Sequence, residues 1–401
     1  MTRKVGFRGV LALILAATIA VTGCGQNNSG GNGGGANGVA GSVSENGDGA
    51  GNAGAGSGGA SGGADSGRAE ANVPAKLAER GDIKIKVIRK IGGDDHTAQF
   101  LAGAKQEGEA LGFAVDTFAA NGDSVKFLEA LEQAATEDVD GVIVSHGDDP
   151  ATVEAVKKLR EKGIEVVTFD SIGDLAAIDG ITMTAQDDQA LARYALDRLV
   201  QDTGGNANII YLWVDGFPPM VRRNAVYQEV LAANPGIKEL ERFGVANENT
   251  SVETQNAVAA MLTKYPKGEI DAIFATWDAF AIGAARALIE AGRTEIKIYG
   301  IDVSNADLQI MQQEGSPWVA TAAVDPKMIG AVNVRLLAKK LAGEETPAEY
   351  NLEAALIDQE TLRQSSETVN MATLADIIPG WGRTDAFEED WMKALKEANA
   401  K

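Results

Sequence analysis

The sequence predicts an α/β fold in which parallel sheets carry helices on both faces. Three observations lead there. From residue 81 onward, apolar strand-like runs alternate with amphipathic helix-like stretches, the pattern that parallel sheets covered by crossover helices require. Residues 25–67 carry more than a third of the 47 glycines in a chain of 401 residues, so the core-forming part is confined to the C-terminal stretch of about 330 residues, enough for one large core or two lobes. Finally, about eight strand candidates are too many for one small sheet, and no repeat at a period of roughly 20 to 50 residues is visible.

In order along the chain, β-branched apolar runs predict strands at 83–91, 113–118, 141–145, 165–170, 208–214, 271–275, 296–301 and 318–323. Between them, apolar residues at helical spacing predict helices at 97–111, 124–136, 150–162, 187–201, 220–233, 252–265, 278–291 and 326–341. Some starts carry their own signal, as in Pro150 after Asp148 and Asp149, and Asp278 after Trp277. The acidic tail 386–401 places Trp391 and Leu395 at helical spacing and predicts a packed terminal helix. Trp381, in Pro379-Gly380-Trp381-Gly382, would anchor an extension before it.

The beginning of the chain bears on its compartment. Arg3, Lys4 and Arg8 precede an apolar run at 10–21, which is short for a bilayer span and suits a signal peptide. Val21-Thr22-Gly23-Cys24 then resembles the lipobox of bacterial lipoproteins. That resemblance implies cleavage before Cys24 and lipidation of its sulfur, leaving a lipid-anchored extracytoplasmic protein. Residues 24–73, rich in Gly, Asn and Ser, cannot offset the entropy of ordering and are expected to be a flexible tether. Gly33-Gly34-Gly35-Ala36-Asn37-Gly38 matches a dinucleotide fingerprint in letters only, since no strand precedes it and no helix succeeds it.

Composition excludes several functions. A formal charge of −21 opposes binding to a phosphate backbone, so no nucleic-acid partner is expected. One cysteine permits neither an internal disulfide nor a cysteine zinc site. Asp94, Asp95, His96, His146 and Asp148 are metal-ligand types, but beside glycine in loops they read as turn formers; no metal and no cofactor is expected. No nucleophile elbow, HExxH or Ser-His-Asp arrangement is present.

Open parallel sheets bind ligands beyond the carboxyl ends of their strands. There the sequence places Asp94-Asp95-His96-Thr97, Ser145-His146, Asp170-Ser171, Asp215-Gly216-Phe217, Thr276-Trp277-Asp278 and Asp302, with Arg222-Arg223 at a nearby helix start. An ionised carboxylate accepts from two neighbouring hydroxyls, and charge strengthens the bonds. An arginine offers a rigid fork of donors, and Trp277, Trp213 and Phe217 offer flat apolar faces. Carboxylates outnumber cations in this set, which disfavours an anion, fits a neutral sugar or polyol best and leaves a cationic ligand open.

Several of these segments together resemble the type I periplasmic binding proteins, in the ribose-binding-like branch. Carrying the resemblance are Gly103-Ala104-Lys105-Gln106-Glu107 with Leu111-Gly112-Phe113, Gly141-Val142-Ile143-Val144, Val166-Val167-Thr168-Phe169-Asp170, Ala272-Ile273-Phe274-Ala275-Thr276-Trp277-Asp278 and Ile298-Tyr299-Gly300-Ile301-Asp302. It implies two Rossmann-like lobes joined by a three-segment hinge near Ala185, Asp325 and Leu352. The lobes would comprise 82–185 with 325–352, and 186–324 with 353–401. The ligand-contacting positions carry over to Asp94, His96, Thr97, Ser145, Asp170, Ser171, Arg223, Trp277 and Asp302. His96 and Thr97 stand where an aromatic pair clamps a pyranose in the family, so stacking is expected from the second lobe: Trp277, with Trp213 or Phe217. The implied function is binding of a sugar or polyol for the permease subunits of an ABC importer, by a monomer without enzymatic activity. A receptor presenting ligand to a sensor kinase and a glycoside-processing enzyme are the alternatives.

Overall fold

The structure is a computed structural model that describes residues 72–400. The expected signal peptide, Cys24 and nearly all of the expected tether lie outside the described residues. In chain order the elements run α1 (Ala75–Ala78), β1 (Lys84–Arg89), α2 (Asp95–Ala110), β2 (Ala114–Ala119), α3 (Ser124–Ala134), β3 (Gly141–Ser145), α4 (Pro150–Glu161), β4 (Glu165–Phe169) and β5 (Thr182–Gln186). Next come α5 (Asp188–Thr203), β6 (Asn206–Leu212), α6 (Pro218–Ala233), β7 (Gly236–Phe243), α7 (Thr250–Lys264), β8 (Ala272–Ala275), α8 (Asp278–Glu290), β9 (Lys297–Ile301), α9 (Asn305–Gln312) and β10 (Trp318–Ala323). The chain closes with α10 (Pro326–Ala342), β11 (Glu349–Leu352), β12 (Ala355–Asp358), α11 (Gln359–Arg363) and α12 (Asp390–Asn399).

Two six-stranded sheets result, in the orders β11-β5-β4-β3-β1-β2 and β12-β10-β9-β8-β6-β7. Each is parallel apart from β12, which runs antiparallel to β10. The central strands are apolar on both faces because helices cover both: Val142, Ile143 and Val144 of β3 are fully buried, each contributing about 1.5 to 3 kcal/mol. The chain passes between sheets three times: after Gln186, after Ala323, and between Leu352 and Ala355. Two of these passages end in an aspartate that caps the next helix. Asp187 accepts from Ala190 N and starts α5; Asp325 accepts from Lys327 N ahead of Pro326 and starts α10.

Helix α10 lies against α2 at backbone contact distance. A Cβ on Gly103 would sit 2.2 Å from Lys327 O, and one on Gly330 would sit 2.3 Å from Phe100 O. Only glycine allows that approach, and it fixes the start of α2, where His96 stands.

Strands β5, β7, β11 and β12 and helix α9 are absent from the sequence expectation. β7, Gly-Ile-Lys-Glu-Leu-Glu-Arg-Phe, is an edge strand with one buried residue, and edge strands carry charges that hide the apolar alternation. The tail is a correction. Assigning all of 353–401 to the second lobe fails, because the last segment returns to the first. Val369, Met371, Leu374, Ile378 and Trp381 pack in the apolar cluster of the second lobe, but Arg335 of α10 donates to Thr384 O at 2.9 Å, Trp391 Nε1 to Glu344 at 2.9 Å and Asn399 Nδ2 to Ala110 O at 2.8 Å. The apolar stripe Trp391, Met392 and Leu395 is buried, and the first lobe supplies the partners that fit it.

Candidate functional site

Both sheets share one strand order, with β3 and β1 in one and β8 and β6 in the other flanking the point where the winding reverses. Such switch points open a crevice at the strand carboxyl ends. The two crevices face each other across a cavity of about 490 Å³, counting the mouth that opens to solvent. His96, Asp170, Arg223, Trp277, Asp302 and Phe217 line it. So do Arg89 and Gln186, which the sequence reading passes over.

Asp170 and Asp302 come directly after β4 and β9, with positive φ of 47° and 74°. Aspartate tolerates this left-handed region better than most residues; it turns each chain sharply out of its strand and leaves the carboxylate at the crevice. Arg223, on α6 and 2% exposed, ties the second lobe's wall together. Its Nε donates to Asp188 Oδ1 at 2.7 Å, and its Nη1 donates to Thr276 O at 2.6 Å and Asp302 Oδ2 at 3.2 Å. Neighbouring Arg222 reaches across the cavity, donating to Asp188 Oδ2 at 2.8 Å and to Asp170 Oδ1 at 2.7 Å. Gln186 Nε2 crosses the other way to Asp302 Oδ1, 3.2 Å. Arg89, Arg222 and Arg223 thus stand among Asp170, Asp188 and Asp302 around the cavity.

Arg89, the last residue of β1, is buried and held on every side. Nε donates to Thr97 Oγ1 at 3.1 Å, Nη1 to Ser145 Oγ at 3.2 Å, and the guanidinium lies 4.8 Å from the centre of the Phe100 ring. Asp94 in turn caps α2, accepting from Thr97 N at 2.6 Å and from its hydroxyl at 3.1 Å. Asp94, Thr97 and Ser145 therefore stand behind Arg89 rather than on the cavity. Ser171 is also set back: its hydroxyl donates to Phe169 O at 3.1 Å and accepts from Gly147 N at 3.2 Å. Trp213 turns away too, with its ring stacked on Tyr211 at 5.9 Å, Arg242 over it at 5.3 Å and Nε1 donating to Met220 O at 2.9 Å. A charge at the end of an apolar strand was the available signal for Arg89, whereas nothing in the sequence separates Trp213 from Trp277.

Burial and then the charge of Asp188 push the Asp170 carboxyl up to about 7. Burial lowers His96 and takes His146 well below its ordinary value, so both imidazoles are neutral. Burial alone would lower Arg223, but Asp302, Asp188 and Asp170 raise it and keep it charged. His96 Nδ1 faces Arg89 Nη2 at 3.5 Å, a contact in which Nδ1 accepts and Nε2 carries the proton. Three buried polar atoms of cavity-lining residues then have no partner: His96 Nε2, Asp170 Oδ2 and Gln186 Oε1. Such vacant positions are uncommon in folded proteins. They are one donor and two acceptors on residues that line one cavity, and a hydroxyl satisfies either kind. Among the described residues no cluster of His, Cys, Asp and Glu could hold a metal ion, and no helix is long and apolar enough to cross a membrane.

Comparison with known proteins places this architecture. Residues 85–345 match the family model described as periplasmic binding protein domain. A sugar ABC transporter protein from Yersinia enterocolitica subsp. enterocolitica 8081 is 52% identical, with a TM-score of 0.79 over 82% of this chain and 98% of that one. The 5-methylthioribose transporter solute binding protein from Thermotoga lettingae TMO, solved in complex with 5-methylthioribose, is 33% identical, with a TM-score of 0.75 over 81% of this chain and 99% of that one. The ribose import binding protein of Escherichia coli (strain K12) is 25% identical over 64% of this chain and 83% of its own length. The chain belongs to the type I periplasmic binding proteins, in the ribose-like branch of solute-binding proteins of sugar ABC transporters.

Proposed function

We propose that the chain binds one small neutral carbohydrate, a sugar or polyol, between two lobes that close on it, and presents it outside the cytoplasm to the permease of an ABC importer. The single observation that carries the reading is the set of three unpartnered polar atoms, His96 Nε2, Asp170 Oδ2 and Gln186 Oε1, on one cavity. The Thermotoga relative, in complex with a modified pentose, supports it. Closure rests on the distribution of contacts. Asp170, His96 and Gln186 belong to one wall, Asp302, Trp277 and Arg223 to the other, so an opened cleft offers a ligand only half of its partners and the ligand shifts the population towards the closed form. Lipidated Cys24 would hold the protein at the membrane.

A thermal-shift series on the full-length chain tests the binding. Neutral pentoses, hexoses or polyols should raise the melting temperature by mass action, and sugar phosphates should not, because Arg222 and Arg223 are already paired with Asp170, Asp188 and Asp302 and Arg89 is engaged by Thr97 and Ser145. A shift confined to anions would refute the reading. The anchor has its own test: labelled fatty acid should mark wild type and leave Cys24→Ala unmarked.

A further inference from the structure

The first lobe's side of the cavity holds both histidines of the chain, His96 and His146, together with Arg89. We propose that Arg89 is a positioning residue for ligand binding: it fixes both imidazoles in the tautomer with the proton on Nε2, so that this wall meets a ligand with two oriented N–H donors. The tautomers stand on contacts within the protein; their use by a ligand rests on the carbohydrate reading above.

A guanidinium donates and never accepts, so each polar atom it meets must turn a lone pair to it. Arg89 Nη2 lies 3.5 Å from His96 Nδ1, which leaves the ring proton of His96 to Nε2. Arg89 Nη1 donates to Ser145 Oγ at 3.2 Å, and the same Oγ lies 2.9 Å from His146 Nδ1. Ser145 is fully buried, and among the described residues its hydroxyl meets no third hydrogen-bond partner. The hydroxyl hydrogen therefore has one acceptor within reach, His146 Nδ1, and His146 too carries its proton on Nε2. Arg89 reaches one ring directly and the other through a single hydroxyl.

Both rings are held in place and kept neutral. His146 stands in the left-handed region with φ of 61°, which histidine tolerates better than most residues, and its ring meets Phe169 edge-on at 5.6 Å. His96 is buried in the first turn of α2. Burial lowers both imidazoles most. Arg89 and Arg223 act on both rings in the same direction and Arg222 on His146, against Asp302 and Asp94 on His96, so the guanidinium that sets the tautomers also opposes a second proton. Among the described residues neither Nε2 has a hydrogen-bond partner. A hydroxyl or ring oxygen of a sugar accepts from such donors. An ammonium group only donates, and neither ring has a lone pair left for it.

Long-range nitrogen–proton NMR spectra of the full-length chain, isotope-labelled at histidine, test this with no ligand added. His146→Asn, which keeps a residue tolerant of the left-handed region, assigns the two sets of signals. At neutral pH wild type should show both rings as the Nε2–H tautomer. Ser145→Ala should shift the ring nitrogens of His146 towards the tautomer mixture of a free imidazole and leave His96 unchanged, whereas Arg89→Met should shift both. A proton on Nδ1 of either ring in wild type would overturn the inference, as would a Ser145→Ala variant in which the His146 nitrogens do not move. Should Arg89→Met not fold, wild type and Ser145→Ala still decide. None of these outcomes depends on a sugar binding, so the inference can fail while the carbohydrate reading stands, and that reading is refuted separately by the thermal-shift series.

Discussion

The two lobes share a strand order and differ in what their loops bring to the cavity. The first lobe supplies hydrogen-bonding groups, and most of its layer is spent on holding Arg89: Thr97 and Ser145 accept from it and Asp94 holds Thr97. The second supplies Trp277, Phe217 and Met220, with Arg223 fastening Asp302 behind them. Common topology with divergent loops is how one scaffold takes on a particular ligand. On the proposed reading a sugar would use both of its chemistries at once, its hydroxyls meeting the polar groups of both lobes and its C–H surface meeting Trp277 and Phe217.

The largest effect should come from the group that organises the second wall. Arg223→Met leaves Asp302 without its guanidinium and removes one of two arginines from Asp188, both carboxylates being buried. Removing one partner of a buried ion pair typically costs about 3 to 5 kcal/mol, so urea denaturation should show a marked fall in midpoint together with loss of binding. An unchanged midpoint would mean that the pairing does not hold the wall.

Asp170→Asn probes the first wall. It keeps the left-handed turn, which asparagine tolerates, and removes charge-assisted bonds worth about 1.5 to 3 kcal/mol, or roughly tenfold to more than a hundredfold in Kd. It also has a pH signature. With its carboxyl raised to about 7 in the fold, against about 3.9 when unfolded, wild type holds this proton more tightly when folded. The stability that results is complete below about pH 4 and lost as the pH passes about 7. Melting curves from pH 4 to 8 should show the asparagine variant with a shallower decline; parallel curves would contradict the assignment.

A smaller effect distinguishes the two tryptophans. Trp277→Ala should weaken sugar binding roughly tenfold, close to 1.4 kcal/mol. Trp213→Ala should leave Kd nearly unchanged and lower stability, since its ring packs on Tyr211 and under Arg242. The reverse order would put the apolar wall in the wrong place.

Much of this was legible in the sequence because buried parallel strands such as Gly141–Ser145 are unbroken apolar runs, and because Asp170 and Asp302 come directly after such runs. What stayed hidden depends on direction rather than composition. Thr97 and Ser145 sit at the expected strand and helix ends, yet their hydroxyls turn to Arg89. Gln186 ends a short strand, Thr-Met-Thr-Ala-Gln, with too little apolar content to announce itself. The return of the tail to the first lobe hangs on contacts such as Asn399 with Ala110, nearly 300 positions apart by sequence number, and no local pattern encodes such a pairing.

The central claim is that hydroxyls of a neutral sugar complete the first lobe's unpartnered atoms while the second lobe covers its apolar face. A crystal structure of the complex measures this directly. Ligand oxygens should lie within about 3.2 Å of His96 Nε2, Asp170 Oδ2 and Gln186 Oε1, with the C–H face of the ligand against Trp277. A sugar bound elsewhere, or one held in the cavity while those three atoms remain without ligand partners, would contradict it.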